Sequence, residues 1–321
     1  MSHGDISRRT LLAASGALLT AIAASSARTA MAAASAGTAA DAAGDLLIGG
    51  DLRVSRLGFG AMRVTGDGIW GAPGDPVEAR RVLRRAVELG VDFIDTADAY
   101  GPGTSEELIA EALHPYPAGL VIATKGGITR PSREQWAPDG RPEHLRAACE
   151  ASLKRLRVER IDLYQLHTID PGVPLEDSIG ELVRLQKDGK IRHVGVSNFD
   201  ADQLAKARRI VEVVSVQNRY NVADRASDAV LQVCERGGIA FIPWRPLGEG
   251  ASDAAADGPA ARLAKIAKRR GLSMPQAAIA WALARSPVML PIPGTSKVVH
   301  LEENVAAAAV KLTAEEMNEV G

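Results

Sequence analysis

From Leu46 onward the chain alternates short β-type apolar runs with amphipathic stretches of helical periodicity, and this alternation is what most narrows its fold. Runs of about four to eight apolar residues bounded by turn residues read as strands buried on both faces, whereas apolar positions three and four apart read as helix. The strand-like runs are 57–60, 91–95, 120–124, 161–166, 193–197, 213–217, 239–243 and 288–291. Between them lie helical stretches at 76–89, 105–113, 142–156, 175–187, 200–210 and 227–236, then a pair at 259–270 and 274–284. Pro76 after Asp75, Asp200 and Ser227 supply start signals for three of these helices. Strand followed by helix, eight times in roughly 275 residues, predicts a (β/α)8 TIM barrel with parallel strands. Residues 46–48, the turn Gly49-Gly50-Asp51 and residues 52–54 predict a β-hairpin ahead of the first barrel strand, closing the bottom of the barrel. A doubly wound sheet is the weaker reading, because Gly58-Phe59-Gly60-Ala61-Met62-Arg63 does not complete a Gly-rich phosphate turn.

Charge and cysteine usage remove several classes of function. With 38 Lys and Arg against 39 Asp and Glu, the chain offers no global electrostatic footprint for nucleic acid or an anionic membrane. A small molecule is the expected partner, with the protein a monomer or small homo-oligomer. Cys149 and Cys234 both fall in helical stretches far apart, which suits neither a disulfide framework nor a zinc site. The six histidines include no His-x-His pair, so a metal-dependent barrel hydrolase has little to stand on and no metal is expected.

The first 45 residues follow a different grammar. Ser7-Arg8-Arg9-Thr10-Leu11-Leu12 sets twin arginines ahead of an uncharged Ala- and Leu-containing stretch, and Ala30-Met31-Ala32 follows as a small-x-small site. Residues 1–32 are read as a twin-arginine export signal, residues 33–45 as a flexible linker and residues 46–321 as the barrel domain. The expected address is periplasmic or extracellular, reached through the twin-arginine machinery, or cytoplasmic if the signal is not used. Residues 249–258, rich in Ala, Asp and Gly, read as a surface loop.

Four polar residues stand at or just past the ends of apolar runs: Asp95 and Tyr100 in FIDTADAYG, Lys125 in LVIATKGG and His167 in IDLYQLHTID. In a parallel barrel all four emerge at the C-terminal face, where barrel enzymes place their chemistry. Each alone has an ordinary reading as a turn residue, loop aromatic, solvated charge or strand-end histidine. Together they form an acid, a phenol, an ammonium and an imidazole. That is a proton-transfer set: Tyr100 as donor to an oxygen gaining charge, Lys125 lowering the phenol pKa, Asp95 orienting the lysine and His167 adding a hydrogen bond.

With these motifs the chain resembles the aldo-keto reductase superfamily, over about residues 46 to 310. The resemblance implies an NADP(H)-dependent oxidoreductase that reduces aldehydes or ketones, or runs in reverse on alcohols, with Asp95, Tyr100, Lys125 and His167 as its tetrad. It places the cofactor along Gly60 and Met62, with Asp95 at the cleft, and Ser197 and Asn198 of VGVSNF with Gln217 of VQNRYN at the carboxamide. Trp244, Pro246, Leu247 and Gly248 of PWRPLGEG fall under the nicotinamide and pyrophosphate. In PIPGTSKVVHLEEN it places Gly294, Thr295, Ser296, Lys297 and His300 near the 2′-phosphate, and Glu303 and Asn304 at the adenine.

Two departures from the family pattern shape the expectations. Gly294 and His300 stand where strongly NADPH-selective members carry a lysine and an arginine, leaving Lys297 as the nearest cation; NADPH is expected over NADH, with NAD(H) also accepted. The chain stops at Gly321, so an open substrate mouth is expected rather than one narrowed by a long C-terminal lid. Substrate walls are expected from Trp70 and Trp136, with packing as loop anchors the other reading; Arg63 and Arg130 could favour an acidic substrate, although exposed arginines are usually just solvated. The competing reading on the same fold is a non-catalytic nicotinamide-binding regulatory protein, as in potassium-channel β subunits.

Overall fold

The structure, a computed structural model, describes residues 1, 37–248 and 257–321. Apart from Met1, the segment read as an export signal lies outside the described residues, as does most of the loop at 249–258. Seven parallel strands form one curved sheet. They are β3 (Phe59–Gly60), β4 (Phe93–Asp95), β5 (Val121–Gly126), β8 (Ile161–Leu166), β9 (Ile191–Ser197), β10 (Val213–Arg219) and β11 (Ala240–Trp244), neighbours in that order. The run at 288–291 occupies the eighth place. Phe241 N donates to Val288 O at 2.9 Å and Leu290 N to Phe241 O at 2.9 Å, while Gly58 N donates to Pro291 O at 3.0 Å and joins the eighth run to the first. Pro291 and Pro293 lack the N–H groups a regular ladder needs, which is why this run pairs at one bridge, Phe241 with Met289. The fold is a (β/α)8 barrel.

The hairpin β1 (Asp45–Ile48) and β2 (Leu52–Ser55) pairs antiparallel, with Ile48 opposite Leu52. Its inward residues Ile48, Leu52 and Val54 pack with Phe93, Val121, Ala123, Leu163, Ala240, Ile242 and Leu290 in one buried cluster, the apolar filling of the barrel. Fully burying each large member of such a cluster contributes about 1.5–3 kcal/mol. A larger cluster lies between the outer faces of the strands and the helices. Those helices are α1 (Pro76–Glu88), α2 (Thr104–Leu113), α3 (Pro142–Leu156), α4 (Leu175–Lys187), α5 (Ala201–Arg208), α6 (Asp228–Gly237), α7 (Pro259–Arg270), α8 (Met274–Arg285), α9 (Val298–Ala306) and α10 (Ala314–Val320).

Local chemistry sets the helix starts. Asp75 accepts from Val77 N and Glu78 N ahead of Pro76, and Asp200 forms a reciprocal capping box with Gln203. Ser227 precedes α6, but its hydroxyl donates to Arg219 O instead of capping the helix. Two features were not anticipated from the sequence. A short antiparallel pair, β6 (Ile128–Thr129) with β7 (Ala137–Pro138), folds the loop after β5 back over the barrel mouth. Within the segment read as a linker, Ala40–Ala43 form a 3-10 turn with Ala40 and Ala43 buried, and Ser55 Oγ donates to Ala40 O at 2.8 Å.

Candidate active site

Strand parity decides what enters the barrel. Side chains alternate across each strand, so every second residue faces the axis. Above the apolar filling the next inward layer is polar: Asp95 on β4, Lys125 on β5, Gln165 on β8 and Gln217 on β10. Gln165 stands beside Lys125 in register. Gly195, on the neighbouring strand, leaves it room, because a Cβ there would lie 2.9 Å from Gln165 Cγ and 2.2 Å from Ser215 Oγ.

This layer is closed by hydrogen bonds. Lys125 Nζ donates to Asp95 Oδ2 at 2.7 Å, to Thr96 O at 2.7 Å and to Tyr100 Oη at 3.4 Å, so its three N–H bonds have three acceptors. Asp95 Oδ1 accepts from Gln217 Nε2 at 2.8 Å and Gln165 Nε2 at 3.2 Å. Burial pushes the Lys125 ammonium down, but the Asp95 carboxylate, with the Tyr100 oxygen beside it, outweighs burial and holds the pKa above the usual lysine value.

Tyr100 lies in the turn after β4, its N–H bonded to Ala97 O at 3.1 Å. Lys125 acts to lower the phenol pKa, as expected, but burial is the larger effect and leaves the phenol above its usual value. Tyr100 therefore keeps its proton at neutral pH. His167 follows β8, and its ring meets Tyr100 edge-on, 5.9 Å between centroids at 84°. Burial, and then the Lys125 charge, hold this imidazole well below the usual histidine range, so it is neutral at pH 7. Its Nδ1 is buried without a partner, and the ring lines a space shared with Tyr100 and Trp136.

A cleft opens over these groups. Tyr100 and Gln217 share it with Gly60, Met62, Asp95, Trp244, Pro246, Leu247, Gly248 and Gly294. Trp244 Nε1 donates to Asn198 Oδ1 at 3.0 Å, and Asn198 Nδ2 donates to His167 O at 3.0 Å and Ser197 Oγ at 3.2 Å. That spends the Asn198 amide on holding the indole and leaves the Ser197 hydroxyl proton and Gln217 Oε1 as donor and acceptor for a carboxamide. A Cβ on Gly60 would lie 2.7 Å from Ile292 O, and one on Gly294 would lie 2.4 Å from Gly60 O, so bare backbone lines the end of the cleft. A flat ring against Trp244, a carboxamide at Ser197 and Gln217, and phosphates along glycine backbone fit a nicotinamide dinucleotide.

Not every expected residue is in this cleft. Ser296 and Lys297 line an adjoining cavity of about 690 Å³ with Arg63. Thr295 is buried and its Oγ1 accepts from Lys297 N at 3.1 Å. His300, Glu303 and Asn304 lie on α9, outside both cavities; Asn304 is buried and His300 exposed. Trp136 reaches the substrate side, in a space of about 320 Å³ shared with Met62, Ile69, Tyr100 and His167. Trp70 does not, lining the adjoining cavity instead. Arg130, for which the sequence offered either an acidic-substrate contact or a solvated charge, is buried with its donors on backbone carbonyls. Gln165 was missed, although a glutamine between Tyr164 and Leu166 in a buried stretch of strand is itself a signal of a buried polar partner.

Removing one member of a buried pair leaves the other charge unpaired, at a typical cost of about 3–5 kcal/mol. Lys125→Met should lose stability on that scale in urea denaturation, and Asp95→Asn added to it should regain part of the loss. A Lys125→Met protein as stable as the parent would contradict the pairing described.

Comparison with known proteins shows the family of the chain. The family model for the aldo/keto reductase family matches residues 56–321. An uncharacterized oxidoreductase of Schizosaccharomyces pombe is 52% identical over 266 residues, covering 83% of this chain and 85% of that one. Pyridoxine 4-dehydrogenase of Escherichia coli is 41% identical over 272 residues, covering 83% and 93%. The crystal structure of an aldo/keto reductase from Klebsiella pneumoniae in complex with NADP and acetate superposes with a TM-score of 0.72 at 24% identity, covering 86% and 93%. The chain belongs to the aldo/keto reductase family.

Proposed function

We propose that the protein is an NADP(H)-dependent oxidoreductase interconverting aldehydes or ketones with alcohols, with Tyr100 as the proton donor. One observation carries this reading: a protonated, buried phenol lies 3.4 Å from a fixed ammonium and lines both the cleft with Trp244 and Gly294 and the adjoining space with Trp136 and His167. Hydride comes from the reduced nicotinamide when it is bound. Tyr100 Oη gives its proton to the oxygen that gains charge, and Lys125 at 3.4 Å stabilises the phenolate left behind. His167 donates a second hydrogen bond to that oxygen. Asp95 keeps the lysine charged and aimed. Burial keeps the phenol protonated in the resting enzyme, and the Lys125 ammonium acts against that rise and so eases release of the proton.

Family membership and the NADP bound by the Klebsiella pneumoniae protein support the cofactor class. Similarity to a pyridoxine 4-dehydrogenase supports a small ring-bearing alcohol or aldehyde as the substrate. Lys297 and Ser296 favour a 2′-phosphate, and hence NADPH, with NADH accepted less well. We also propose, from Ser7-Arg8-Arg9 and the uncharged stretch after it, that the chain is exported by the twin-arginine route already holding its cofactor.

Tyr100→Phe should lower carbonyl reduction by at least about 100-fold while NADPH fluorescence changes on binding persist; retained turnover would remove Tyr100 from the donor role. Lys297→Ala should weaken NADPH binding and barely alter NADH, so equal weakening of both would place the 2′-phosphate elsewhere. Cell fractionation followed by mass measurement of bound nicotinamide checks export. Protein confined to the cytoplasm, or exported without cofactor, contradicts that proposal.

A further inference from the structure

Arg130 makes an unusual set of contacts. It is only 8% exposed, and among the described residues no carboxylate lies within ion-pair distance of it. Its guanidinium donates to five backbone carbonyls instead. Nε reaches Gln135 O at 3.1 Å, one terminal nitrogen reaches Ile69 O at 3.0 Å and Ala99 O at 3.3 Å, and the other reaches Gly68 O at 3.2 Å and Arg133 O at 2.5 Å. Five N–H bonds thus meet five acceptors drawn from three different loops, those after β3, β4 and β5. No donor remains for a substrate anion. The guanidinium carbon also lies 3.8 Å from the Trp136 ring centroid and 5.4 Å from that of Trp70.

Two of the groups it fixes are walls of the substrate space. Trp136 packs edge-on to Tyr100, 6.4 Å between centroids at 68°. Ile69, the neighbouring wall, has φ +57°, a left-handed conformation that a β-branched residue rarely adopts. Such a residue persists only where its surroundings over-determine it. Here the Ile69 carbonyl accepts from both Arg130 and Gly101 N, the latter at 3.2 Å. The strained wall and the indole wall are therefore held by the same side chain.

We propose that Arg130 is a positioning residue for substrate selection: it clamps Ile69 and Trp136 into an apolar wall beside Tyr100 that favours ring-bearing carbonyl or alcohol substrates. The wall, completed by Met62, is one part of a cavity of about 320 Å³ whose remaining lining, His167, Ser197, Asn198, Gln217, Trp244 and Arg245, is mostly polar. Its apolar faces suit a flat ring, and a short aliphatic aldehyde touches little of them. The inference rests on the carbonyl-reductase reading above.

The test compares the parent enzyme with Arg130→Lys and Arg130→Met, using NADPH with 4-nitrobenzaldehyde and with propanal. Lysine keeps the charge but has neither five donors nor the planar fork. Both variants should raise KM for 4-nitrobenzaldehyde by about tenfold or more, change kcat and KM for propanal far less, and leave the NADPH dissociation constant within about twofold. Full recovery by lysine, or an equal loss on both aldehydes, would overturn the clamp. Trp136→Ala provides a variant that leaves the guanidinium and its carbonyl bonds in place; it should reproduce the selective rise in KM for the ring-bearing aldehyde, and an unchanged KM would overturn the proposal. Failure of the parent to reduce either aldehyde would instead strike the carbonyl-reductase reading, a different and separable result.

Discussion

The pair between Lys125 and Asp95 governs this molecule's functional end. Both groups are buried, and the barrel around them offers no water to solvate a charge. Such a pair repays its desolvation only when the remaining lone pairs and protons are also satisfied. The chain meets that demand with a glutamine from the adjacent strand β8, a second from β10, a backbone carbonyl and a phenol. These partners come from different strands and the turn after β4, so the polar layer is in register only when the barrel is closed. The geometry of the layer follows from satisfying a buried charge.

That demand also explains the division of states around the pair. The lysine stays charged because a carboxylate touches it, the phenol stays protonated because burial outweighs a cation at longer range, and the imidazole stays neutral because burial and the same cation act together. Three groups within one cavity are thus held in the forms that proton donation to an oxyanion requires. Folding, rather than substrate, assigns these states.

Much of this was legible in the sequence, for a physical reason. Parallel strands buried on both faces write near-continuous apolar runs, so a charged or aromatic residue at the end of a run, such as Asp95 or Lys125, stands out. Legibility fails where contacts are long-range and made by backbone. Nothing in the local pattern around Arg130 shows that five carbonyls from three loops converge on it, and its charge alone suggested either a substrate contact or a solvated side chain. Trp70 and Trp136 look alike as loop aromatics, yet only the fold of β6 and β7 brings Trp136 over Tyr100. Gln165 was readable in principle, because it stands between Tyr164 and Leu166 in a buried stretch of β8 and a lone amide there must find a partner. The direction of the Tyr100 pKa was not readable, since it depends on how deeply the fold buries the phenol against the pull of one ammonium.

Gly60 and Gly294 meet as bare backbone where the first barrel strand touches the chain that follows the eighth run. The same contact seals the barrel and lines the end of the dinucleotide cleft. Residues so far apart along the chain meet only across the closed barrel, so this contact carries a large loop-closure cost. One backbone contact thereby serves two ends, joining the first strand to the chain after the eighth run and shaping the cleft beside it. A side chain placed at either glycine would press on both at once.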